Sequence, residues 1–165
     1  MAATTKIITV TEVRDLALTN SNFDTALVED YILPAQRQYI RPFLGEDFYE
    51  EITDQVENST ETSDNQTLIT SYLKPTLAHF IVYDAFPEIR MNITKAGVMI
   101  NSSETSVAAG AADASALRNQ KLAMAERWLK DTKYFLDEAI EDDNSKYPLW
   151  CDKSRRNNKY GIIIY

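Results

Sequence analysis

His79 is the only histidine and Cys151 the only cysteine in a chain that carries 25 acidic side chains, so chemistry that needs an imidazole or a thiol rests on these two residues. A general base needs a group to orient it and a proton to take. Around His79 the sequence offers Tyr72, Tyr83 and Asp84 only as helical neighbours, and a histidine satisfied in a core or an interface accounts for it more simply. Pairing Cys151 with His79 as nucleophile and base has no local support, and an inert buried cysteine is the plainer reading. One cysteine closes no intrachain disulfide and builds no cysteine-based zinc site, which fits a reducing cytosol.

Asp137, Glu138, Glu141, Asp142 and Asp143 could gather a divalent cation, yet they lack the alternating ligands and sharp glycine turn of a calcium loop. They read as a solvated helix end, where acidic charge is slightly unfavourable against the helix dipole. Arg155 and Arg156 near Tyr160 have the residue types of a nucleic-acid patch, but two arginines release few counterions. An acidic protein surface is the better partner for them. The chain has no phosphate-cradling glycine loop, no Gly-x-Ser-x-Gly and no His-Glu-x-x-His. We therefore expect no catalytic residue, no metal and no cofactor.

The 165 residues, 44% of them hydrophobic, suffice for one domain with a real core. A net charge of −8 and a pI near 4.7 point away from duplex nucleic acid or an anionic membrane as the main partner. The first residues lack the basic and apolar regions of a signal peptide, and nowhere do about 18 apolar residues run together. The expectation is a protein neither exported by that route nor embedded in a bilayer. Without a signal, the Asn-x-Ser/Thr matches at Asn58, Asn65, Asn92 and Asn101 read as chance.

The elements are mainly α. Thr9 or Thr11 can cap a first helix with Val13, Leu16 and Ala17 as its apolar stripe, and Asp24 a second carrying Leu27, Val28, Tyr31, Ile32, Ala35 and Tyr39. Pro34 should kink the second helix. A third opens near Gly45 or Glu46, with Phe43, Leu44, Phe48 and Ile52 toward the core. Residues 57–65 contain no apolar side chain and are expected to form an exposed, mobile loop. The stretch 68–86 is apolar on most faces, as befits the central helix of a bundle, with an uncertain start near Lys74 and Pro75 and an end at Pro87. Alternation about Gly97 predicts a small β-hairpin near 91–103, in which Ile93, Val98 and Ile100 are candidate subunit contacts. Two strands alone are marginal, so the hairpin must lean on the bundle or on a neighbour. A long helix covers 114–140 and could begin as early as Val107. Tyr147-Pro148-Leu149-Trp150 reads as an anchoring loop.

Residues 1–150 thus form a helical-bundle domain, and 151–165 an extended arm. That arm is basic through Lys159 and then turns into a β-prone run, Tyr160-Gly161-Ile162-Ile163-Ile164-Tyr165. A lone strand has no evident partner in a helical bundle and invites addition to another chain's sheet edge. Arg155, Arg156, Tyr160, Ile162, Ile163, Ile164 and Tyr165 are the candidate partner-binding residues.

Three stretches in order, 39–49 (Tyr-Ile-Arg-Pro-Phe-Leu-Gly-Glu-Asp-Phe-Tyr), 72–80 (Tyr-Leu-Lys-Pro-Thr-Leu-Ala-His-Phe) and 93–98 (Ile-Thr-Lys-Ala-Gly-Val), resemble the small head-to-tail connector proteins of tailed bacteriophages. The similarity is strongest to versions from the crAss-like group and covers roughly residues 11–149. It implies a helical bundle assembled as a dodecameric ring beneath the portal, joined to the next tail ring, with DNA passing through the bore without specific binding. It also implies a place in the virion, reached from the host cytoplasm during assembly, and an arm that reaches the portal or a neighbouring subunit. An acidic bore would suit DNA passage by repulsion. The alternative is a non-viral helical interaction module that docks through its C-terminal strand. An enzyme built on His79 or the acidic helix end is the least supported reading.

Overall fold

The computed structural model describes residues 4–17, 26–94, 97–100, 111–143 and 145–150. Its helices are α1 (Val10–Ala17), α2 (Ala26–Ala35), α3 (Arg41–Leu44), α4 (Glu46–Asn58), α5 (Ser63–Leu68), α6 (Lys74–Arg90) and α7 (Ala111–Asp142). Between α6 and α7, strands β1 (Met91–Thr94) and β2 (Gly97–Ile100) pair antiparallel, with Met91 opposite Ile100 and Thr94 opposite Gly97. The fold is mainly helical, as the periodicity implies.

Two π-helical turns, Gln36–Ile40 and Ile69–Leu73, join α2 to α3 and α5 to α6 without a break. Each is followed by Xaa-Pro: Arg41 N–H bonds the Gln36 carbonyl and Lys74 N–H the Ile69 carbonyl, five residues back, before Pro42 and Pro75. A proline in an ordinary α-helix removes a bond and collides with the carbonyl four residues earlier. The wider π-turn gives each ring room, so 26–44 and 63–90 each run as one continuous helix. Pro75 therefore does not mark a helix start. Nor does Pro87 end α6, which continues to Arg90.

Gly45, at φ 86°, lets the chain reverse between α3 and α4. Ser59 adopts the left-handed conformation at the end of α4, and its N–H and that of Thr60 return to the Val56 and Gln55 carbonyls. The expected loop over 57–65 thus shrinks to residues 59–62. Thr62 caps α5 through Asn65 N–H, and the Asn65 side chain, buried, donates to Glu51 and Gln55 at 3.0 and 2.9 Å. Polar residues carry this segment because their bonds are made across to α4.

α6 lies at the centre, packed by α1, α2 and α7; Leu77, Ala78 and Ile81 are fully buried along it. Against α7, Tyr72 stacks on Phe135 with centroids 4.2 Å apart, and the buried Thr76 and Thr132 hydroxyls meet at 3.3 Å. Against the first π-turn, Phe80 stacks on Tyr39 at 3.9 Å. At the base, Tyr147 and Trp150 are buried: Tyr147 donates to the Asp64 carbonyl and Trp150 to Asp137. The expected anchoring loop does anchor.

The N-terminal segment is held by a residue that periodicity does not single out. Gln36, fully buried, accepts from Ile7 N–H at 2.9 Å and donates to the Thr5 carbonyl and the Tyr49 hydroxyl at 2.9 and 2.7 Å. Ile7 and Ile8 enter the core on this strap. Thr9 and Glu12 then form a reciprocal capping box that opens α1. Val13 and Ala17 are buried as expected, whereas Leu16 is 42% exposed and is not part of the core stripe.

Candidate interaction surfaces and the buried histidine

His79 lies on α6 with 6% of its surface exposed, and its Nδ1 has no hydrogen-bond partner among the described residues. Burial, with a smaller contribution from the positive charge of Lys121, lowers its pKa to about 4. It is a neutral imidazole packed in a helix seam. Lys121 itself donates to the Ala17 carbonyl at 2.6 Å, at the C-terminal end of α1, where a cation is favoured by the helix dipole. Among the described residues no hydrogen bond is seen to orient His79 toward a nucleophile. Cys151 and Asp24 lie outside the described residues.

Two of the acidic residues at the end of α7 serve structure. Asp137 accepts from Trp150 Nε1 at 2.9 Å and pairs with Lys133, and Asp143 accepts from the backbone and hydroxyl of Ser145. Those bonds hold the Asp143 carboxyl below its usual range. Among the described residues no group of three or more His, Cys, Asp or Glu side chains is placed to hold a metal ion. No described helix is long and apolar enough to cross a membrane.

A polar cluster lies toward the ribbon end of α6. Tyr39 donates to Asp84 at 3.0 Å, and Arg118 of α7 sits 4.3 Å above the Tyr83 ring while its Nε reaches the Tyr83 carbonyl. Burial raises the Asp84 carboxyl, opposed by the Tyr39 bond and Arg118; burial and the Asp84 charge raise the Tyr39 phenol. These contacts fix α6 to its neighbours.

The outward surfaces are more distinctive. On α4, Glu46, Asp47, Glu50, Asp54 and Glu57 are all exposed. At 3.6 residues per turn they fall within about 100° of one another, opposite buried Phe48 and Ile52. Arg41 forks onto Glu46. Composition reports the charge but not this segregation, which the 3.6 period of α4 would have revealed.

The ribbon is a two-stranded sheet, β1 with β2, and each strand has one edge unpaired within it. It carries Ile93, Val98 and Ile100, whose side-chain surroundings are outside the described set. Arg155, Arg156, Tyr160, Ile162, Ile163, Ile164 and Tyr165 also lie outside the described residues. The structure therefore places the backbone of the hairpin group and none of the arm.

Residues 40–160 match the family model of DUF6712, a family of unknown function. The chain belongs to the DUF6712 family. The DUF6712 span runs from the end of the first π-turn through α7 and the anchoring loop, and leaves out the Gln36-bound strap, α1 and α2. Residues 161–165 also fall outside it, so the apolar run of the arm is read from this chain alone. Comparison with curated proteins and with solved structures gives no match.

Proposed function

We propose that this chain is a structural subunit of a tailed-phage head-to-tail junction, a ring protein seated on the portal and joined to the next tail ring. The observation that carries the reading is the α6–α7 helical pair interrupted by a two-stranded ribbon whose outer edges pair with no other strand among the described residues, on a bundle whose buried Gln36, Asn65, Thr76 and Thr132 side chains are bonded to the chain's own segments. Two strands gain little stability alone, and open edges are templates for another chain. The exposed acidic face of α4 supports a surface that faces DNA without adhering to it.

In this reading the protein turns nothing over. It works by subunit packing, by strand addition through the arm that ends in Ile162 to Tyr165, and by shaping a channel; the ring is a dodecamer, as the resemblance implies, in the virion. The test is electron microscopy of the purified chain mixed with the portal protein of the same phage. Ring density on the portal, with the portal's symmetry, is expected. Portal particles left bare at saturating chain would overturn the assignment in favour of an interaction module with some other partner.

A further inference from the structure

We infer that this chain carries both halves of a strand-exchange contact, so that residues 161–165 of one copy add to an outer edge of the β1–β2 ribbon of a second copy. This rests on the ring reading above and names the contact that would build the ring.

The acceptor is set by register. Two residues separate Thr94 from its partner Gly97, so that pair closes the ribbon through hydrogen bonds. The next pair, Ile93 and Val98, then directs its backbone N–H and C=O groups outward. Met91 and Ile100 repeat the pattern at the other end of the ribbon. Among the described residues each edge thus offers two residues' worth of unpaired backbone, and each strand is four residues long.

The donor matches in length and chemistry. Gly161-Ile162-Ile163-Ile164-Tyr165 is β-branched and aromatic after one glycine, with no proline and no charged side chain. Its attachment point is fixed at the opposite end of the bundle. Trp150 is tied to Asp137, about half a turn from Phe135, which stacks on Tyr72. From Tyr72 to Met91 the helix rises about 28 Å at 1.5 Å per residue. Residues 151–160 span at most about 35 Å when pulled straight. To serve its own ribbon the linker must be drawn to about four-fifths of its full reach along the α6–α7 pair, at a cost in backbone freedom. A second copy with its ribbon beside the base removes that stretch. With the donor's attachment point and the acceptor at opposite ends of the bundle, the contact is head-to-tail, the kind that closes into rings.

The test is sedimentation velocity of the full chain over a concentration series, against Ile163→Pro, which removes a donor N–H, and Ile93→Pro and Val98→Pro, which each block one ribbon edge. The full chain is expected to associate as concentration rises. Ile163→Pro and one edge variant are expected to lose association by at least about tenfold with unchanged melting. The deciding measurement mixes the two: the donor-defective chain keeps its edge and the edge-defective chain keeps its tail. Mixing must yield a one-to-one dimer that grows no further. A full chain that stays monomeric at hundreds of micromolar, an Ile163→Pro chain that associates normally, or a mixture that stays monomeric would each overturn the exchange. The two readings fail separately. Rings on the portal formed by Ile163→Pro would refute the exchange alone, whereas exchange-dependent association without portal binding would refute the adaptor alone.

Discussion

Replacing His79 by leucine should remove a specific dependence of stability on pH. The imidazole is 6% exposed, its Nδ1 is unpartnered, and its pKa falls from 6.5 to about 4 on folding. The depressed value means that the fold prefers the neutral ring. Above pH 6.5 both states are neutral and the linkage costs nothing. Below it the unfolded chain gains a proton that the folded chain refuses, so stability falls until pH reaches the folded value. At pH 5 the two populations differ enough to cost about 2 kcal/mol relative to pH 7.5. Glu12, held below its usual pKa by the Lys74 ion pair and the Thr9 bonds against the opposing effect of burial, adds loss in the same direction at lower pH. Asp84, raised by burial, acts the opposite way there. Neither is altered by the substitution, so the His79 contribution appears as the difference between proteins. Urea denaturation of both at pH 7.5 and pH 5 should show wild type losing about 2 kcal/mol more than His79→Leu. Equal losses would mean that His79 is hydrated or protonated in the fold, and that its surroundings are looser than its burial implies.

Gln36→Leu should cost about 3–5 kcal/mol in denaturant unfolding, because it orphans the Ile7 N–H, the Thr5 carbonyl and the Tyr49 hydroxyl together; a cost under about 1 kcal/mol would show the strap to be dispensable. Phe80→Ala, removing a ring 3% exposed and stacked on Tyr39, should cost about 3–5 kcal/mol, and a negligible change would misplace the helix seam. Thr9→Ala should cost about 1 kcal/mol through its capping box, read as a shift in urea midpoint without a change in slope. Pro75→Ala should leave the π-turn at Ile69–Leu73 free to tighten, changing amide exchange in that turn ahead of any other; exchange identical to wild type would show that packing, and not the proline, holds it.

The long helices could be read from the chain because their burial follows a 3.6-residue period, and α6 because apolar residues surround it. What escaped has a physical reason in each case. A π-turn shifts that period by one residue, so Tyr39 and Tyr72 meet Phe80 and Phe135 at positions an ideal helix would not align. The recurring Xaa-Pro at Arg41-Pro42 and Lys74-Pro75 was the available signal. The 57–65 segment looked unstructured because hydropathy sees no core in it, while Asn65 is buried through bonds to Glu51 and Gln55. Leu16 belongs inward by type, but the buried places of α1 go to Val13 and Ala17 alone. Gln36 is a buried amide whose partners lie 31, 29 and 13 residues away, and no local pattern encodes such a set. Of the candidate surfaces, the acidic face of α4 could have been derived from spacing. The arm was legible only as composition.

Native mass spectrometry of the chain with the portal protein of the same phage tests the account most directly. A discrete complex in which portal and chain subunits stand in equal number, formed without cofactor or metal, is expected. Portal oligomers that never gain mass in the presence of the chain would contradict it.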